Sequence, residues 1–302
     1  MSIVGDKLRM SHSGQRLIEQ CNMRGKTCLV TGATSGIGFE TALGLARKGA
    51  DVLMVARDIK RGADAAAQIR NLAPQGAAEV FVANLALQRD VRSLAAAVLA
   101  RHARLDVLVN NAATVSAIRR VTEDGLEISI ATNHLAPFLL TNLLEEPLRK
   151  ATAARVVNVT SYLHKMVKVI PWDDLQREHA YDSHRAYNLT KLMNVLFTYE
   201  LAKRWAGITV NCLHPGWPLK TNLGREERGP ARIFDRLSKI FAVSADRGAK
   251  TSICLASSPN VANASGEYYV SCKPATSSRL SHDEAAGTRL WQVSAELCRR
   301  SA

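Results

Sequence analysis

Two residues four apart, Tyr187 and Lys191, carry the first chemical signal in the chain. They lie in a segment, 186–203, whose apolar residues recur at helical spacing, so both side chains project from one helix face. An ammonium beside a phenol favours the phenolate, drawing its pKa from about 10 toward neutrality and making tyrosine usable as a general acid or base. Ser161 follows the strand-like run 155–160, where its hydroxyl suits holding a carbonyl or alcohol oxygen beside such a phenol. Thr160 has the same chemistry and is its rival. No GxSxG elbow and no suitably placed His and Asp accompany Ser161, which argues against a serine hydrolase. The other signal is TGATSGIG, 31–38. Gly32, Gly36 and Gly38 let the backbone turn sharply and approach a ligand, Thr34 and Ser35 add hydroxyl donors, and the N–H groups of the helix that follows favour a pyrophosphate.

The elements that position these residues alternate. An apolar run at 27–31 precedes the glycine turn, and an alanine-rich helical pattern at 39–48 follows it. Short apolar runs at 51–57, 79–85 and 105–110 read as buried strands, with helical patterns at 59–72 and 90–102 between them. Such a repeat implies a doubly wound α/β fold, a single Rossmann-type parallel sheet with helices on both faces, whose ligands lie beyond the carboxyl ends of the strands. Arg57 falls just after the second strand, where dinucleotide folds place an acidic residue for the adenosine ribose. Ala56 leaves that place without negative charge, and Arg57, with Lys60 and Arg61 nearby, offers cations to a 2′-phosphate, so the chemistry leans to NADP(H) over NAD(H). Asn84 and Leu85 end the third strand, within reach of an adenine. Asn110, Asn111, Ala112 and Ala113 end the fourth, where small residues let a cofactor lie against backbone; either asparagine site also suits a turn cap.

Lys and Arg outnumber Asp and Glu by 40 to 27, a net charge of +13. The basic residues are spread along the chain without a dense tract or aromatic interleaving, so a nucleic-acid partner is not expected. The six cysteines show no CxxC spacing and no histidine at metal-ligand spacing, which reads as reduced thiols and no metal site. No signal-peptide core and no spanning run is present in the sequence, and a cytoplasmic protein is expected. Residues 1–24 read as an N-terminal extension and 25–302 as one domain.

In order and spacing, TGATSGIG, NNAA at 110–113, NHLAPFLLT at 133–141, RVVNVTS at 155–161, YNLTK at 187–191 and VNCLHPG at 210–216 resemble the short-chain dehydrogenase/reductases, and within them the retinol-dehydrogenase-like branch. The resemblance runs from about residue 24 to 299. It implies catalytic roles for Asn133, Ser161, Tyr187 and Lys191, with Asn133 supporting a water beside the lysine and Lys191 also contacting ribose. It implies cofactor contacts at the glycine turn, Ile37 included, and at Asn111, Ala112, Pro215, Gly216 and Thr221. Two departures bear on the pocket: Ala113 stands where the family has glycine, and Trp217-Pro218 intervenes before Thr221. Residues 217–243 read as the substrate lid, with an amphipathic stretch whose apolar face suits a lipophilic substrate and whose basic rim allows peripheral membrane contact. The helices around Asn133 and Tyr187 resemble those used by the family for homodimer contacts. The sequence thus predicts an NADP(H)-dependent interconversion of carbonyl and alcohol on a small or medium lipophilic molecule. The alternative is a cofactor-binding protein of this fold turned to non-redox biosynthetic chemistry or to sensing.

Overall fold

The computed structural model describes residues 21–216 and 244–299. The expected lid, with Thr221 and Trp217-Pro218, and the first twenty residues lie outside the described residues. Eight strands form one sheet in the order β3-β2-β1-β4-β5-β6-β7-β8. These are β1 (Thr27–Thr31), β2 (Asp51–Ala56), β3 (Ala77–Val82), β4 (Val107–Asn110), β5 (Arg155–Val159), β6 (Thr209–His214), β7 (Glu267–Val270) and β8 (Lys273–Pro274). All pairings are parallel except that of β7 with β8. The order reverses between β1 and β4, the crevice where doubly wound sheets bind ligands.

The alternation of side chains along each strand builds two cores. Leu29, Leu53, Leu108 and Val156 face one layer, with α3 (Gln88–Arg101), α4 (Ala136–Leu143), α6 (Ser183–Arg204) and α8 (Glu284–Arg299). Cys28, Val30, Val52, Met54, Val107 and Val109 face the other, with α1 (Gly36–Ala46), α2 (Ile59–Leu72) and α7 (Ala245–Ser257). Both faces are covered, so the central strands are apolar throughout rather than alternating, as the sequence reading requires. A short helix, α5 (Glu145–Arg149), leads into β5.

Three expectations need correction. The third strand ends at Val82, not Leu85, because Asn84 turns the chain: its side-chain oxygen accepts the Ala86 N–H at 3.2 Å, and its own N–H is held by Asp90. The strand at 105–110 begins only at Val107, since the N–H groups of Leu105 and Asp106 bond to Pro147 and Thr27. The cysteines are not all reduced. Cys254 of α7 and Cys272, in the turn between β7 and β8, form a disulfide with Cα atoms 6.1 Å apart, while Cys28, Cys212 and Cys298 are buried thiols. At the other end, Met23 is buried in the second core and its N–H bonds to Lys48, so the chain is already packed on the body at residue 23.

Candidate active site

After β1 the backbone turns at Gly32, with φ +66°, and enters α1 at Gly36, with φ +58°, conformations open to glycine. Ser35 precedes the helix in extended backbone without a side-chain cap bond, and the first turn carries no acidic residue. The amino end of α1 thus keeps its positive pole and donors uncovered. A Cβ on Gly38 would collide with the Gly32 carbonyl oxygen and Asn111 Nδ2. A bare, positive cradle of this kind fits a pyrophosphate. Thr34 and Ser35 stand at its rim, whereas the Ile37 side chain is buried, leaving its backbone N–H to offer.

The cradle is clamped to the end of β4. The Thr31 hydroxyl accepts the N–H groups of Asn111, at 2.9 Å, and Ala112, at 3.0 Å, and Asn111 Nδ2 donates to the Thr31 carbonyl at 2.8 Å. Asn111 therefore holds two loops together. On the adenosine side, Arg57 is exposed just past β2. Asp58 is spent as the cap of α2, accepting the Arg61 N–H at 2.8 Å, and Lys60 lies 3.2 Å from Asp64. Of the three expected cations, Lys60 is thus already paired. Asn84 holds its own turn, and Leu85 packs against the first core.

Asn133, Ser161, Tyr187 and Lys191, dispersed in sequence, meet at the carboxyl ends of β4 and β5. Asn133 lies in a π-helical segment, Ala131–Leu135, directly before α4. Pro137 has no N–H to give the carbonyl four residues back, so the Asn133 carbonyl is released from the helix ladder; Asn194 Nδ2 takes it at 2.7 Å. The Asn133 side chain accepts the Thr114 N–H at 2.7 Å, donates to the Thr114 carbonyl at 2.8 Å, and reaches Thr190 Oγ1 at 3.2 Å. It ties the loop after β4 to α6 beside Lys191. Lys191 is 2% exposed; its Nζ donates to the Val159 carbonyl at 3.0 Å and stands 5.4 Å from the centre of the Tyr187 ring. The Ser161 hydroxyl stands beside the Tyr187 phenol, close enough to draw its pKa down. Thr160, the rival, turns its hydroxyl inward to the Leu213 carbonyl at 2.9 Å.

The titration behaviour differs from the sequence reading. Burial pushes the Tyr187 phenol up to about 12, the Ser161 hydroxyl drawing it part of the way back, and burial pushes Lys191 down to about 8. Desolvation of both groups outweighs the attraction expected of the ammonium for a phenolate. Beyond β6, Pro215 is buried and Gly216, with φ +109°, donates its N–H to His214 Nδ1 at 3.0 Å.

A sequence profile described as short chain dehydrogenase matches residues 26–230. Human retinol dehydrogenase 14 is 42% identical over 290 residues, covering 90% of this chain and 86% of its own. The chain belongs to the short-chain dehydrogenase/reductase family. It is an oxidoreductase of the retinol-dehydrogenase-like kind within it. Among solved structures, an uncharacterised protein from Mycobacterium paratuberculosis superposes with a TM-score of 0.76 at 32% identity, over 93% of this chain and 97% of that one. A protein described as an NAD(P)-dependent gluconate 5-dehydrogenase from Beutenbergia cavernae, holding NADP at low occupancy, superposes with a TM-score of 0.67 at 26% identity, over 83% and 96%.

Around the family's residues the structure adds partners that the sequence reading missed. Asn194 lies three residues beyond Lys191 on the same face of α6 and binds the freed Asn133 carbonyl. Pro137, four residues after Asn133, was the signal that this carbonyl needs a new donor. Glu127, 0% exposed, caps the helical turn before Asn133 by accepting the N–H groups of Ser129, at 2.9 Å, and Ile130, at 3.0 Å. No group of metal-ligating residues occurs among the described residues. Nor does any helix there have the length and apolarity to cross a membrane.

Proposed function

We propose that the protein is an NADP(H)-dependent oxidoreductase interconverting a carbonyl and an alcohol on a lipophilic molecule, with Tyr187 as general acid/base. The observation that carries this reading is the meeting of Ser161, Tyr187 and Lys191 beside a glycine cradle at the sheet's switch point. The name of the human relative supports a retinoid or another long apolar alcohol and aldehyde. Arg57, standing where an acidic residue would select the ribose hydroxyl, supports the 2′-phosphate, and the Beutenbergia protein shows NADP held by a related fold.

The cradle of Gly32, Gly36 and Gly38, the Asn111–Ala112 backbone and Lys191 would hold the dinucleotide, with Pro215 and Gly216 at its nicotinamide end. The nicotinamide supplies or takes the hydride. Ser161 Oγ already accepts the Leu163 N–H at 3.2 Å, so its own proton is left to donate to the substrate oxygen. A phenol pushed up to about 12 is held protonated at neutral pH, the state a proton donor to a carbonyl must have. Lys191, pushed down to about 8, gives up and regains a proton near neutrality and can reload the phenol. Asn133 fixes the loop after β4 against α6 and so keeps this geometry.

The test is NADPH consumption with all-trans-retinal and a panel of apolar aldehydes and ketones, for the parent and Tyr187→Phe. Turnover by the parent and its loss by orders of magnitude in a folded variant support the reading. A folded Tyr187→Phe with near-parental turnover overturns it. NADPH binding without consumption across the panel would favour the non-redox alternative.

A further inference from the structure

His164 sits three residues beyond Ser161, fully buried, and has no part in the machinery described above. Its two ring nitrogens face groups whose roles are fixed. Nδ1 lies 2.6 Å from the Ser161 carbonyl, which can only accept. Nε2 lies 3.0 Å from the Ser278 backbone N–H, which can only donate. One neutral tautomer, protonated on Nδ1, satisfies both; an imidazolium would set two N–H groups against each other at Ser278. The ring is held edge-on by Tyr268, whose centre is 5.1 Å away, and Tyr268 in turn stacks on His214.

The contacts close a circuit around the two reacting oxygens. Ser161 presents its carbonyl to the His164 N–H, at 3.2 Å, as well as to the ring, while its hydroxyl takes the Leu163 N–H. From Ser278 the chain steps back to Ser277, whose Oγ lies 2.7 Å from the Tyr199 hydroxyl. Tyr199 stands on α6, the helix that carries Tyr187 and Lys191. The serine turn and the tyrosine helix are therefore tied to one another through the segment before α8, with the His164 ring as the connecting piece.

We propose that His164 is a positioning residue for Ser161, a neutral imidazole that locks the serine's peptide to the segment at Ser277–Ser278 and so sets the separation of the Ser161 and Tyr187 oxygens. The inference rests on the reading of Ser161 given above.

The connection can be cut without touching the ring. Ser278 has φ −72°, which proline adopts, and its hydroxyl has no hydrogen-bond partner among the described residues. Ser278→Pro thus removes the N–H that His164 accepts, while Ser278→Ala removes only the idle hydroxyl. With all-trans-retinal and NADPH, Ser278→Pro is expected to have a kcat about tenfold or more below that of Ser278→Ala, since misplacement of a reacting group by a fraction of an ångström has effects of that order. The NADPH dissociation constant of the two variants, read by fluorescence, should match, while the thermal midpoint of Ser278→Pro should lie a few degrees lower, by the cost of one buried ring nitrogen left without its donor. In a cycle with Ser161→Ala, His164→Ala should lower kcat in the parent but by less than about twofold in the Ser161→Ala background. Equal kcat for Ser278→Pro and Ser278→Ala, or a His164→Ala loss that repeats in full without the serine hydroxyl, would overturn the positioning role. Near-parental turnover of Ser161→Ala alone would instead overturn the reading of Ser161, and the positioning role with it.

Discussion

Replacing Lys191 by methionine should make the ligand-free protein more stable at neutral pH while removing its activity. The side chain is 2% exposed and burial moves its pKa from 10.5 down to about 8. At about 1.4 kcal/mol per unit, that shift corresponds to about 3 kcal/mol of destabilisation while the ammonium is charged in both states. Methionine fills a similar volume but gives the Val159 carbonyl no donor, a loss of about 1 kcal/mol, so the net gain is about 2 kcal/mol at pH 7. The sign of the pH dependence follows. Below pH 8 folded and unfolded lysine are both charged and the penalty is full. Between about 8 and 10.5 the folded lysine is neutral while the unfolded one is still charged, so the penalty shrinks as the pH rises. Urea unfolding followed by tryptophan fluorescence should therefore show Lys191→Met about 2 kcal/mol more stable than the parent at pH 7 and no more stable at pH 10. A variant less stable than the parent at pH 7, or an advantage that does not change between the two pH values, would refute the reasoning.

Other perturbations address the cradle, the cofactor and the buried rings. Arg57→Ala should weaken NADPH binding about tenfold or more and NADH binding little, measured by fluorescence titration; equal effects would remove the 2′-phosphate role. Gly38→Ala places a methyl against the Gly32 carbonyl and Asn111 Nδ2, and should weaken both cofactors alike while the protein stays folded by circular dichroism. His134, His164 and His214 are each pushed down to about 4, chiefly by burial, from 6.5. As the pH falls below 6.5 the unfolded chain takes up protons that the folded protein refuses. Stability should accordingly fall by several kcal/mol between pH 7 and pH 5 in urea unfolding, and a flat profile would contradict the burial of these rings.

The fold was legible because its signals are local. A strand buried on both faces writes a short apolar run, a crossover helix writes a periodic one, and the glycines at 32, 36 and 38 mark the turn between them; these needed no knowledge of distant partners. Boundaries were less legible where side chains intercept the backbone. Asn84 ends β3 early by capping its own turn, and nothing in an apolar run announces that. Tyr187 and Lys191 could be placed on one face because their separation is a helix property, but the charge state of the phenol could not be read from it. Spacing says that an ammonium is near; burial, which depends on what packs over both groups, decides that the phenol moves up. His164 stayed hidden for a related reason, since its partner Ser278 is 114 residues away and offers only a backbone N–H, which no residue type reveals.

The hydrogen-bond network that joins β4, β5, the π-helical segment and α6 behind these residues is built from neutral groups. Asn110 Nδ2 donates to Asn158 Oδ1 at 2.9 Å and to Thr141 at 3.0 Å, and Asn158 Nδ2 donates to Thr198 at 2.9 Å. Thr198 in turn donates to the Asn194 carbonyl at 2.7 Å. The Asn194 side chain then bonds both the Asn133 carbonyl and His134, whose other nitrogen lies 2.8 Å from Ser294 Oγ. Amides and hydroxyls of this kind fix β4, β5, the π-helical segment and α6 in register without adding net charge to the interior, where each uncompensated charge would be costly and would act on the phenol. Burial keeps His134 neutral, so the ring that ends this chain adds no positive charge either. Lys191, its Nζ 5.4 Å from the centre of the Tyr187 ring, supplies a cation beside the phenol, and the amino end of α1, without a side-chain cap or an acidic residue in its first turn, keeps its positive pole. An anionic dinucleotide seated there would offset the desolvation penalty of the ammonium, so binding should raise the pKa of Lys191 from about 8 and couple cofactor loading to the proton inventory at Tyr187.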